Sequence, residues 1–192
     1  EENMSRENLE ICLEIIKKTP SIHTVDITGG APEMNAHFRW FVKEVSDFGK
    51  QVINRCNLTI IRANKKYHDL PQFFKKHKVH LISSLPYFSK KRTDSQRGDG
   101  VFEDSIKALK MLNEVGYGQE GSGLMLDLIY NPSGAFLPAS QETLEAEFKS
   151  DSDQNQIYFF NQDLPSLIKA DPIKIRQIFS NLISNAIKFS SK

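Results

Sequence analysis

A chain of 192 residues has room for one domain, or for one domain and a further piece. Its 39% apolar and 26% charged residues are those of a globular protein, and a net charge of +1 excludes the strong field that draws a protein to nucleic acid or anionic lipid. No apolar run approaches the roughly 20 residues needed to span a bilayer. Glu1-Glu2-Asn3-Met4 has neither the basic region nor the apolar core of a secretory signal, so the expected setting is the cytoplasm and the expected ligand a small molecule, without nucleic acid or membrane.

In chain order, Ser5 is placed to cap a first helix whose apolar stripe is Leu9, Cys12, Leu13 and Ile16, with Pro20 ending it. Residues 22–28 are β-rich and run into Gly29-Gly30, which predicts a strand and a tight loop. Phe38, Phe41, Val42 and Val45 mark a second helix closed by Gly49. A strand over 51–57, a short helical stripe at Leu70, Phe73 and Phe74, and a strand over 79–84 follow. The polar stretch 93–100, with two glycines, reads as a loop. Phe102, Ile106, Leu109 and Leu112 define a long helix with Gly116 as its C-terminal cap, and 124–130 is a fourth strand stopped by Asn131-Pro132. Strands alternating with helices predict βαβ units and a parallel sheet, so the expected class is α/β.

After Gly134 to Pro138 as a connector, residues 141–149 suit a short polar helix, and 150–156 suit a polar linker or junction. A short strand at 157–160 leads to a last helix, with Asp171 as N-cap and Pro172 at its first position. The expected organisation is therefore 1–149, a junction at 150–156, and 157–192. The two cysteines, Cys12 and Cys56, are far apart and have apolar neighbours, which suits reduced packing residues. Two thiols cannot supply the three or four ligands an iron–sulfur cluster takes.

Ligands of parallel sheets gather at the carboxyl ends of the strands. The residues expected there are Thr28-Gly29-Gly30, Cys56-Asn57, Ser83-Ser84 and Tyr130-Asn131, all small or polar at the point of turning. Gly29 and Gly30 would let the backbone approach a ligand closely, with their carbonyls accepting from an amine; glycines after a strand also serve as a plain turn. Arg97 and Asp99 are candidates for substrate contacts, or members of a solvated loop.

Several words along residues 4–149 resemble the radical S-adenosylmethionine family assigned to arsenosugar biosynthesis: residues 4–13, Asp26-Ile-Thr-Gly-Gly-Ala-Pro-Glu-Met-Asn35, 55–59, Ser84-Leu-Pro86, 96–102 and Tyr130-Asn-Pro132. The resemblance implies a partial (β/α) barrel in which Gly29, Gly30 and Pro32 form the loop that receives the methionine ammonium of S-adenosylmethionine. It also implies Ser84 and Asn131 near the ribose or carboxylate, and 5′-deoxyadenosyl transfer to a methylated trivalent arsenical. The family binds a [4Fe–4S] cluster through CxxxCxxC just before the helix that begins here near Ser5. That spacing does not occur in these 192 residues, and the reading is of a fragment inactive alone unless a partner chain supplies the cysteines.

The last 35 residues carry a second pattern. Asn181 and Asn185 are four residues apart and share a helix face with Lys188, a set that suits Mg²⁺ and phosphate or simply the wet side of an amphipathic helix. Asp163-Leu-Pro165, Ala170-Asp-Pro172 and residues 181–189 resemble the strand and first long helix of a histidine-kinase ATP-binding domain. That resemblance implies Asn185 as the Mg²⁺ ligand, with Asn181 and Lys188 near the phosphates of ATP. The glycine-rich nucleotide loops and an H-E-x-x-x-P histidine do not occur. The chain thus reads as a chimera of two fragments. Three functions are expected in competition: a radical-enzyme fragment, a kinase fragment binding Mg-ATP, and a non-catalytic relic or interaction module that associates through unpaired sheet edges.

Overall fold

Four strands run in one direction and pair in the order in which the chain makes them. The computed structural model describes residues 3–85, 89–129 and 141–154. The elements are α1 (Arg6–Lys18), β1 (Thr24–Ile27), α2 (Phe38–Asp47), β2 (Gln51–Cys56), α3 (Leu58–Ala63), α4 (Leu70–Lys76), β3 (His80–Ser84), α5 (Lys90–Arg97), α6 (Val101–Glu114), β4 (Leu126–Ile129) and α7 (Gln141–Gln154), with single 3₁₀ turns at Pro32–Met34 and Lys65–Tyr67. This is an α/β architecture built on a parallel sheet, β1-β2-β3-β4, with Ile27 opposite Asn54, Cys56 opposite Ser83 and Ser84 opposite Ile129.

Right-handed crossovers that advance one strand at a time carry their helices to the same face of a sheet. Burial follows that rule. On one face Val52, Asn54, Cys56, Leu81 and Ser83 are sealed with Phe74, Leu109 and Leu112 of the helices. Each fully buried side chain of that size contributes about 1.5–3 kcal/mol by leaving water. The other face keeps exposed Asp26, Arg55 and Asp127 beside half-buried Ile53 and Ile82.

One connector is used three times. After α2, the Gly49 N–H donates to Ser46 O and the Lys50 N–H to Val45 O. After α4, Lys78 donates to Lys75 O and Val79 to Phe74 O. After α6, Gly116 donates to Asn113 O and Tyr117 to Leu112 O. Each is a Schellman turn, with a left-handed residue just past the cap, and the first two turn the chain directly into the next strand. The left-handed positions are Gly49 (φ +70°), Lys78 (φ +48°) and Gly116 (φ +113°). The exits interlock as well, because the Tyr117 hydroxyl donates to Val79 O at 2.7 Å.

Ser5 caps α1 by accepting from the Asn8 N–H at 3.3 Å, and Leu9, Leu13 and Ile16 are buried as the stripe requires. Of the cysteines Cys56 is buried and Cys12 half-buried. Three segments depart from the sequence expectation. Residues 93–100 are not a loop: α5 runs through Arg97, held by a sealed Thr93 and stopped by Gly98 and Gly100 at positive φ. Leu58–Ala63 is a helix where none was expected, started by Asn57. α7 extends past residue 149 to Gln154, taking in most of the stretch expected as a linker, since Ser and Asp cost a helix only about 0.5–0.7 kcal/mol each relative to Ala. The chain divides after Phe160, and the second unit, Asn161–Lys192, lies outside the described residues.

Candidate functional site at the carboxyl edge of the sheet

β1 ends at Ile27, and Thr28, Gly29 and Gly30 follow it as exposed residues on the carboxyl edge. Asn57 comes directly after β2, and Ser84 is the last residue of β3. Parallel pairing brings these three strand ends to one side of the sheet. Asn131, the fourth member expected there, lies outside the described residues, as do Asn181, Asn185 and Lys188.

Gly29 is close to fully extended, and among the described residues no heavy atom lies within 4 Å of where a Cβ would stand. The described residues leave space beside this backbone, as a ligand-receiving loop requires. Gly30 keeps a negative φ, so its value lies in small size rather than in a conformation forbidden to other residues. Pro32 opens the 3₁₀ turn, whose amides at Met34 and Asn35 donate to Ala31 O and Pro32 O at 3.0 Å. Pro32 therefore shapes the loop, where it has no N–H to offer in any case.

Asn57 already has a task. Its Oδ1 accepts from the Thr59 N–H at 3.3 Å and the Thr59 hydroxyl at 2.9 Å, capping α3. Ser84 is half-exposed and aligned with the bare face of the sheet. Two steps from the edge on that face, Arg55 grips Asp26 through Nε (3.2 Å to both carboxylate oxygens) and a terminal nitrogen (2.9 Å). The Asp26 carboxylate holds the guanidinium above its ordinary pKa, and the pair remains open to water. Deeper on the same face His80 Nε2 meets Asp127 Oδ2 at 2.7 Å. None of the four was singled out from the sequence, although their signal was present: each is a charged or titratable residue flanked in its strand by apolar or buried neighbours.

Beneath the loop lies a second polar group that sequence reading did not single out. Glu33 is 5% exposed and accepts from Asn54 Nδ2 at 2.6 Å. The Cys56 thiol lies close enough to Glu33 and to Ser83 to interact with both electrostatically. Burial pushes the Glu33 carboxyl above the usual carboxylate range, and burial followed by the neighbouring Glu33 pushes the Cys56 thiol well above its own. In both cases removal from water disfavours the charged form.

Arg97 and Asp99 are exposed at the far end of α5 and just beyond it. Among the described residues no three His, Cys, Asp or Glu side chains gather as a metal site, and Cys12 and Cys56 sit on separate elements. No helix among them is long and apolar enough to cross a membrane. No family model and no curated protein matches the chain.

Proposed function

We propose that the carboxyl edge of this sheet receives S-adenosylmethionine, and that residues 4–149 are the core of a partial (β/α) barrel resembling the arsenosugar biosynthesis radical S-adenosylmethionine family. The observation that carries this reading is the coincidence of two features. A parallel sheet wound in strict sequence order keeps one face polar and partly open among the described residues, with Asp26, Arg55 and Asp127 exposed on it, as suits a barrel interior. At the carboxyl end of its first strand stands an exposed Gly-Gly turn with open space beside Gly29.

In this reading the carbonyls of the Thr28–Gly30 turn accept from the ligand's ammonium, replacing water with fixed dipoles. The Ser84 hydroxyl bonds the ribose or carboxylate from the neighbouring strand end. Asn57, with its oxygen committed to α3, offers only its NH₂ group. The described residues do not fit a [4Fe–4S] cluster, because their two thiols are on separate elements and Cys56 is sealed in the core. We therefore assign this chain ligand binding and derive no bond cleavage from its residues.

The test is a titration with S-adenosylmethionine followed residue by residue through backbone amide shifts. The expected result is saturable change at residues 28–31, 57 and 84, with residues of α6 unmoved. Changes spread over unrelated surfaces, or none at all, would end the reading.

A further inference from the structure

We infer that Glu33 is a positioning residue: its buried carboxyl, bonded to Asn54 on the helix-covered face of the sheet, latches the Gly29–Gly30 loop in its ligand-receiving conformation. This inference rests on the reading of the carboxyl edge as the ligand site.

The route of the chain makes the case. From the end of β1 the backbone crosses the carboxyl edge through Thr28–Ala31 and then tightens into the 3₁₀ turn Pro32–Met34. The middle residue of that turn, Glu33, sends its carboxyl down into the core, where it takes the Asn54 Nδ2 bond at 2.6 Å. Asn54 is 0% exposed and sits between Val52 and Cys56 in the inward register of β2, a position the pattern reserves for apolar residues. A buried Asn–Glu contact has no counterpart in the apolar packing around it. Its geometric consequence is to tie the loop to the strand beneath it, while Asn35 Nδ2, donating to Met4 O at 3.1 Å, ties the far end of the turn to the start of α1.

The latch is also selective. Glu33 Oε2, Asn54 Oδ1 and Ser83 Oγ are sealed from solvent and lack a protein partner, so any side chain that broke the pairing would leave still more polar atoms stranded, at about 1–3 kcal/mol each. A neutral carboxyl suits this site better than an ionised one, which would be desolvated without a countercharge; the groups facing it are Asn54 and the Cys56 thiol. A carboxamide of the same length can make the same bond.

The experiment is hydrogen–deuterium exchange on the unliganded chain, comparing wild type with Glu33→Gln and Glu33→Ala, followed by S-adenosylmethionine titration of each. The expected result is exchange at the Met34 and Asn35 amides at least tenfold faster in Glu33→Ala, wild-type protection there in Glu33→Gln, and unchanged protection in β3 and α6. Ligand affinity should fall at least tenfold in Glu33→Ala and stay near wild type in Glu33→Gln. If Glu33→Ala does not fold, Glu33→Asp carries the test, because its carboxyl falls one methylene short of Asn54. Unchanged exchange at Met34 and Asn35 in either shortened variant overturns the latch. So does uniform loss of protection across the sheet, which would mark a purely structural role. Latched exchange without ligand binding by the wild type would leave the latch standing and overturn the proposed function instead.

Discussion

Lys78 occupies the left-handed position that Gly49 and Gly116 occupy in the two sister turns. A side chain there costs about 1–2 kcal/mol of backbone strain, while glycine costs about 0.5–1 kcal/mol in unfolded-chain entropy. Lys78 is exposed, and its carbonyl, which accepts from Gln51 Nε2, is unaffected by the side chain. Lys78→Gly should therefore stabilise the protein by about 0.5–1 kcal/mol, read as a higher urea midpoint with unchanged slope. Gly116→Ala should do the reverse, by about 1–2 kcal/mol, since it takes on the strain and sets a Cβ 3.4 Å from Leu124 Cδ1. Glu33 adds a pH dependence. Its carboxyl titrates higher in the folded chain than in the unfolded one, so the native state holds the extra proton. The stability it contributes is full below about pH 4.3, the unfolded value, and is lost as pH rises through the folded value. The Cys56 thiol facing it stays neutral across that range. The urea midpoint of wild type should fall relative to that of Glu33→Gln as pH is raised from 4 to 8; parallel curves would show that burial does not raise the Glu33 carboxyl.

At the scale of elements, α6 begins at Gly100, which has no side chain to cap it; the cap comes from the preceding helix, where Asp94 Oδ1 accepts from the Phe102 N–H at 2.9 Å. Asp94→Ala should cost about 1 kcal/mol, and Asp94→Asn much less, measured by thermal or urea unfolding. This contact explains why α5 escaped a reading by composition. Its residues Lys-Lys-Arg-Thr-Asp-Ser-Gln-Arg carry no apolar stripe, and the helix is fixed by a buried Thr93 and by Asp94 reaching the next element. The six residues of α3, rich in β-branched side chains, were hidden for a related reason. Asn57 starts that helix, and Arg62 ties it to Asp104 of α6 at 3.1 Å, a partner 42 residues away. The four strands and the helices α1, α2, α4 and α6 were legible because each carries its own periodicity of burial, and Gly49 and Gly116 announced their turns. At the site, Thr28, Gly29, Gly30, Asn57 and Ser84 could be found from the rule that strand ends gather ligands. Glu33 could not, since its partner is 21 residues off; the one local clue was a polar Asn54 in the inward register of β2.

For the whole molecule, sequential winding decides where chemistry can happen. The helices that bring Phe74, Leu109 and Leu112 to the core pack on one face, and Asp26, Arg55, His80 and Asp127 stand as two hydrogen-bonded couples on the other. The exposed charges of Asp26 on β1 and Asp127 on β4, the outer strands of the sheet, also guard edges that would otherwise invite pairing with a second chain. The most direct measurement of the central claim is calorimetric titration of the purified chain with S-adenosylmethionine, with Mg-ATP as the comparison ligand. One-to-one binding of S-adenosylmethionine is expected, abolished by Gly30→Val, a substitution that the negative φ at that position lets the backbone accept. No heat with S-adenosylmethionine, or binding that survives Gly30→Val unchanged, would contradict it.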